Sequence, residues 1–253
     1  MVISALTYIG TDRKLQQDAV LIENELITDG ILVKENIKVA CCFVADGVSG
    51  SSDGAFASTF VLKGIQNLSF FSTWENNVRK LKSLNQQFIN HILKLGQNSA
   101  TTLSGIFFTN EGLQIFQAGD SEIHLIRGGA FFPLAATHNE TVENIMKNYP
   151  GINLDQAYEK ASNTLTSYFG SQTDHLVFDI DWKRRIKLPI INGIQKNDRI
   201  LISSDGLFKS ITRVQLKEII FSDIEKLEML EKVKQKTIQY GSPDNLSLIL
   251  IEF

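Results

Sequence analysis

Cysteine is almost missing from this chain, with two residues in 253, and those two are adjacent, Cys41 and Cys42. On a strand, neighbours point to opposite faces, so the pair is not expected to form a disulfide. Their apolar surroundings point instead to buried, reduced thiols and a cytoplasmic protein. No stretch reaches the roughly 18 apolar residues of a membrane span. The opening, Met1 to Gly10, has neither the basic start nor the long apolar core of a secretory signal and reads as a first strand. There is no excess of positive charge: the net charge is -3. With no basic patch interleaved with aromatics, nucleic acid and anionic membranes are not expected partners. Only four prolines occur, and no Pro-, Gly- or Ser-rich linker, internal repeat or low-complexity tract divides the sequence.

What remains is ordinary globular material, 43% hydrophobic and 21% charged. A chain of this length buries a sizeable core without disulfide or metal staples. The expectation is one domain over residues 1–253. Strand patterns fall at Val2–Ile9, Ala19–Ile22, Lys38–Ala45, Ala100–Thr109, Gly112–Ala118, Glu122–Arg127, Ala130–Leu134, His175–Ile180, Ile186–Leu188, Arg199–Ser203 and Leu246–Glu252. Helical spacing covers Ala55–Leu68, with Phe56, Phe60, Leu62 and Ile65 inward, and Trp74–Leu95 behind a Thr73 cap. Two amphipathic helices flank Tyr149-Pro150-Gly151 inside residues 137–170, the best candidate for a flap subdomain. Two more span Thr212–Phe221 and Ser222–Tyr240. Strands in hairpin-linked groups, with helices between the groups, disfavour a doubly wound parallel sheet. They predict an α+β fold: a four-layer α-β-β-α sandwich, two antiparallel sheets face to face with helices on both outer sides.

Within that pattern, four apolar runs end or begin at an aspartate beside Gly, Ser or Asn: Asp46-Gly47, Asp120-Ser121, Asp205-Gly206 and Asp244-Asn245. One Asp-Gly is a turn signal. Four carboxylates at the ends of neighbouring buried strands would converge on one rim and repel each other unless cations joined them. An all-oxygen site suits magnesium or manganese.

The ordered set Gly10-Thr11-Asp12-Arg13-Lys14-Leu15-Gln16-Gln17-Asp18, Ala45-Asp46-Gly47-Val48-Ser49-Gly50, Ser99-Ala100-Thr101-Thr102, Ala118-Gly119-Asp120-Ser121, Ser203-Ser204-Asp205-Gly206-Leu207 and Pro243-Asp244-Asn245 resembles the motif series of the metal-dependent serine/threonine protein phosphatases of type 2C. The likeness spans nearly the whole chain. It implies two magnesium or manganese ions, with a looser third. By similarity Asp46 would bridge two ions and the Gly47 carbonyl would bind one. Asp205 and Asp244 would hold the other, Asp120 the third with Asp205, and Asp18 an ion or its water. Arg13 would grip the substrate phosphate, for which a planar guanidinium is suited. The resemblance implies hydrolysis of phosphoserine and phosphothreonine in proteins by a hydroxide bridging the metals, since two ions about 3.5–4 Å apart can acidify water between them. Expected partners are phosphoproteins, among them a cognate kinase or that kinase's substrates. A monomer is expected because no exposed apolar stripe stands out.

A cysteine phosphatase is not expected, because neither Cys41 nor Cys42 precedes a phosphate loop ending in Arg. Departures from the family pattern are Gln17 for an acidic residue, Gln16 for Asn, Val48 where some members have His, Ser49-Gly50 for Gly-Gly, and His138 without its preceding Asp. They motivate a rival reading as a catalytically weak or inactive binding module of the same fold. Thr101 and Thr102 read as core-facing strand residues, and His91, His124 and Trp74 as packing or surface residues.

Overall fold

The computed structural model describes residues 1–69, 73–109, 112–170, 176–178 and 193–253. Every strand pairing among them is antiparallel. The first sheet contains β1 (Val2–Tyr8), β4 (Gly30–Lys34), β8 (Glu122–Arg127), β9 (Ala130–Pro133), β10 (Arg199–Ser203) and β11 (Leu246–Glu252), in the order β4-β1-β11-β10-β8-β9. The second contains β2 (Asp18–Ile22), β3 (Glu25–Ile27), β5 (Ala40–Asp46), β6 (Leu103–Thr109) and β7 (Gly112–Ala118), in the order β3-β2-β5-β6-β7.

The two-residue period of each strand decides what packs where. Ile3 and Ala5 of β1, Ile200 and Ile202 of β10, and Ile249 and Ile251 of β11 meet Val20, Ile22, Cys42, Val44, Ile106 and Ile115 between the sheets. The alternate residues face outward. Ala19, Leu21, Phe43 and Ala45 pack under α1 (Gly54–Gln66) and α2 (Trp74–Lys94). Leu6, Leu201, Leu248 and Leu250 pack under α5 (Gly206–Ser210), α6 (Arg213–Ile220) and α7 (Lys226–Gln239). The four expected layers are therefore present. Cys41 and Cys42 lie on opposite faces, as the alternation requires, and both thiols are free.

The differences from expectation are local. Strands β3 and β4 had no sequence assignment, and neither did the five-residue α5. In α1 the side chains toward the sheet are Ala57, Val61, Leu62 and Ile65, whereas Phe56 and Phe60 are half-buried and face Phe88 and His91 of α2. Thr73 sits at the N-cap of α2 but its side chain makes no capping bond. The final helix starts at Lys226, not Ser222. Within the expected strand at 175–180, residues Leu176–Phe178 carry no strand, and Leu176 and Phe178 are buried in the layer under α1 and α2. The rest of that strand and the one expected at 186–188 lie outside the described residues.

Residues 137–170 contain two helices, α3 (Val142–Asn148) and α4 (Leu154–Ser162), each with its own cap. Thr141 accepts the Asn144 N–H, and Asn153 forms a capping box with Gln156. They bury Ile145, Ala157 and Ala161 against each other in a small separate cluster.

Candidate metal and phosphate centre

Toward one end of the sandwich the inter-sheet layer changes from apolar to polar. Thr7 of β1 pairs with Ser247 of β11, and their hydroxyls are 2.8 Å apart. Asp18, which opens β2, stands directly opposite Asp46, which closes β5. Both belong to the inward-facing set that continues as Val20, Ile22, Cys42 and Val44, so their carboxyls enter the gap between the sheets. Asp120 follows β7, Asp205 follows β10 and Asp244 precedes β11, all at the same end. Five of the acidic positions chosen from sequence are thus neighbours, and Arg13 joins them.

Each is held by its own scaffold. Asp46 is gripped through its backbone: its N–H donates to Thr102 Oγ1 (3.1 Å), and its carbonyl accepts from the Thr102 N–H (2.8 Å) and Thr101 Oγ1 (2.9 Å). Thr101 and Thr102 are buried, as expected, and brace the Asp46 backbone. Asp18 accepts a 2.8 Å hydrogen bond at Oδ2 from Ser204 Oγ, which in turn accepts the Ser247 N–H at 2.9 Å. The loop carrying Arg13 is pinned by Asn245, whose amide donates to the carbonyls of Ile9 (2.7 Å) and Leu15 (3.0 Å) and whose oxygen accepts the Gln17 N–H (3.0 Å). Gly10 bends that loop at φ +82°, with the Asp244 carbonyl where a side chain would stand. Gly206 is packed just as tightly on the Asn245 carbonyl, so no larger residue fits after Asp205. Asp120 is approached at 3.5 Å by the Asn139 amide, and His138 exchanges bonds with Gly119, its N–H donating to the carbonyl at 2.9 Å. The segment holding α3 and α4 is therefore tethered beside Asp120.

Among the described residues, two cations enter the cluster. Arg13 Nη2 lies 2.8 Å from Asp244 Oδ1. Lys209, one turn after Asp205 on α5, lies 2.5 Å from Asp205 Oδ2 and 2.9 Å from Asp244 Oδ2. Among the described residues no three acidic, His or Cys side chains are drawn together at ion-ligating distance. The carboxylates nearest the cations turn to Arg13 and Lys209 instead.

The electrostatics divide accordingly. Burial, then the charges of Asp18, Asp205, Asp120 and Asp244, push Asp46 well above the ordinary carboxylate range. Burial raises Asp18 to about 7 despite the Ser204 hydroxyl, and burial with Asp205 raises Asp120 to about 6. Asp244 goes the other way: burial would raise it, but Arg13 and Lys209 hold it below its usual value. A site with these properties fits hard divalent cations on two observations. Asp18 Oδ1 is buried with no hydrogen-bond partner, and its neighbours are carboxylates whose repulsion a cation removes. Arg13 Nε is likewise buried and unpartnered, a donor available to an anion.

Sequence reasoning chose Arg13 and the aspartates but missed Ser204, Asn245 as the loop's anchor, and Lys209. The i,i+4 spacing of Asp205 and Lys209 was the one legible signal for the last.

An antiparallel α-β-β-α sandwich with this order of acidic strand ends defines a class, and in both respects the chain is similar to the metal-dependent protein phosphatases of type 2C. No family model matches it. Among curated proteins it is similar to protein phosphatase PhpP of Streptococcus pneumoniae, at 24% identity over 260 residues covering 99% of this chain and 97% of the relative. Among solved structures it superposes on the serine/threonine phosphatase Stp1 of Staphylococcus aureus with a TM-score of 0.74 at 18% identity, covering 99% of this chain and 94% of that one. It matches the catalytic domain of the phosphatase PstP, solved with two manganese ions, with a TM-score of 0.68 at 17% identity over 99% of this chain and 98% of that one.

Proposed function

We propose that the protein hydrolyses phosphoserine and phosphothreonine in other proteins, using two magnesium or manganese ions. The observation that carries this reading is the meeting of Asp18, Asp46, Asp120, Asp205 and Asp244 at one end of the sandwich, with Asp18 Oδ1 buried and unsatisfied beside an arginine. Asp46 and the Gly47 carbonyl, with Asp18, would hold one ion. Asp205 and Asp244 would hold the other, and Asp120 with Asp205 a third. When bound, such ions supply Lewis acidity and lower the pKa of water at the site.

The remaining work falls to the chain. Arg13 binds and orients the phosphate, offering its guanidinium fork to two oxygens. Asn245 fixes the height of that arginine by holding its loop at both ends. Ser204 holds Asp18 in place, and Thr101 and Thr102 hold Asp46. Val48 brings no titratable group, so the leaving alkoxide is not protonated from that position. No thiol takes part: burial, then the charge of Glu23, pushes Cys41 up to about 12, and burial raises Cys42 well above its ordinary value.

Residues 137–170 form the flap that selects substrates, because the His138 N–H donating to the Gly119 carbonyl, and the Gly119 N–H donating to His138 Nδ1, hold this segment against the Asp120 loop. Its outer surface carries Met146, Tyr149, Leu154 and Tyr158, all exposed, which would meet the residues flanking a phosphorylated side chain. A cognate kinase or its substrates are the proteins it would act on. The protein would work as a monomer and in the cytoplasm, and the two free thiols support that location.

The test is release of phosphate from a phosphopeptide with manganese, with and without chelator, beside nucleotide and sugar phosphates. Activity on the peptide that vanishes with chelator and in Asp46→Ala is expected. Turnover that survives both would refute the mechanism, and preference for the small phosphates would refute the protein substrate.

A further inference from the structure

Lys209 belongs to none of the motifs, yet it stands among the carboxylates assigned to the second ion. Its ammonium is 2.5 Å from Asp205 Oδ2 and 2.9 Å from Asp244 Oδ2. The other oxygen of Asp244 accepts from Arg13 Nη2 at 2.8 Å and from the Asn245 N–H at 2.9 Å. Every oxygen by which Asp244 could take an ion is therefore already engaged, and the one facing Asp205 is engaged by lysine. A divalent ion bound to both carboxylates needs the space the ammonium fills.

We propose that Lys209 is a chain-borne cation lodged between Asp205 and Asp244, which a divalent ion must displace, so that the ion held by Asp46, Gly47 and Asp18 binds first and the second binds more weakly. This rests on the metal-phosphatase reading. Two features support it. Lysine is a compact charge on a flexible stem, so it can leave without moving α5. Its side chain is 41% exposed, so it has a path to water. Arg13 and Lys209 together offset the negative charge at the outer edge of this cluster of buried acids.

The experiment is calorimetric titration of manganese into the chelator-stripped intact chain, beside Lys209→Met and Lys209→Gln, which keep stem length or polarity without the charge. The wild type should show a tight and a weak class of sites. Loss of two partly exposed ion pairs should tighten the weak class about tenfold in both variants. Thermal unfolding should show both variants less stable than wild type in chelator, with that gap narrowed or reversed in manganese. A lysine that merely props up α5 would leave manganese affinity unchanged or weaken it, and either result overturns the proposal alone. If none of the three proteins binds manganese, the metal-phosphatase reading falls with it.

Discussion

Ser204→Ala separates a structural hydroxyl from a metal-centre hydroxyl. Ser204 Oγ lies at 0% exposure, donates to Asp18 Oδ2 at 2.8 Å and accepts the Ser247 N–H at 2.9 Å. Alanine removes both bonds with almost no change of volume. The second oxygen of Asp18 then joins the first in having no partner, and a buried N–H of β11 is orphaned. Each such group costs about 1–3 kcal/mol, so a loss of about 2–6 kcal/mol of stability is expected for the metal-free protein in urea denaturation. Ser203→Ala, one residue away, is the control. The Ser203 hydroxyl is buried with no partner, so its removal should be neutral or mildly stabilising. The informative readout is manganese affinity. If Asp18 faces the ion, losing the group that orients it should weaken binding by about 10–100-fold. A Ser204→Ala protein that loses the expected stability yet binds manganese within about twofold of wild type would remove Asp18 from the centre.

Two further perturbations test separate parts of the reasoning. Arg13→Lys keeps the charge but loses the fork, so KM for a phosphopeptide should rise by about tenfold with kcat changing less; an unchanged KM would deny Arg13 its place on the phosphate. His124, buried on the outer face of β8, is lowered to about 4 by burial and by the charge of Arg213, while its neighbour Glu122 is itself taken by Arg213 at 2.6 Å. Because the folded protein resists protonating it, its contribution is full above the ordinary value of 6.5 and is lost as pH falls toward 4. The buried acids Asp18 and Asp120 titrate in the same range in both proteins, so the wild type should lose up to about 3 kcal/mol relative to His124→Leu across that window; parallel pH profiles for the two proteins would contradict this.

The fold was legible wherever a strand or helix was long enough to show its period. Seven-residue β1, β5 and β11 each alternate between two apolar faces, and α2 runs for 21 residues, so their place in the layers followed from sequence. The three residues of β3 and five of α5 carry no period to read. Phe56 and Phe60 were assigned to the sheet side because helical spacing gives a face but not its neighbour; the rings and His91 of α2 decided it. In the centre the same limit applied. Four aspartates at strand ends were visible because Gly, Ser or Asn marks each end, whereas Asp18, between Gln17 and Ala19, stood out only through the family resemblance. Ser204 acts on Asp18 and Asn245 on the 9–17 loop across long sequence separations, and nothing local announces those partners; Lys209 reaches Asp244 in the same way, and only its i,i+4 partner Asp205 was legible.

That dependence explains why the acids are spread over both sheets. Asp18 and Asp46 are directly opposed across β2 and β5, a pairing of like charges that destabilises a sheet on its own. The second sheet does not relieve it by itself: Ser204, after β10 of the first sheet, donates to Asp18, and Arg13 and Lys209 offset the charges of Asp205 and Asp244, which otherwise add to the repulsion on Asp46. Closing the sandwich and assembling the centre are therefore one event. A substitution that loosens the sheet-to-sheet contact, even far from any carboxylate, should weaken manganese binding before it unfolds the chain. Ile249→Ala tests this from the middle of the inter-sheet layer, where the side chain is fully buried. Such a truncation costs about 2–5 kcal/mol. A folded Ile249→Ala protein with wild-type manganese affinity would show that the two sheets do not assemble the centre together.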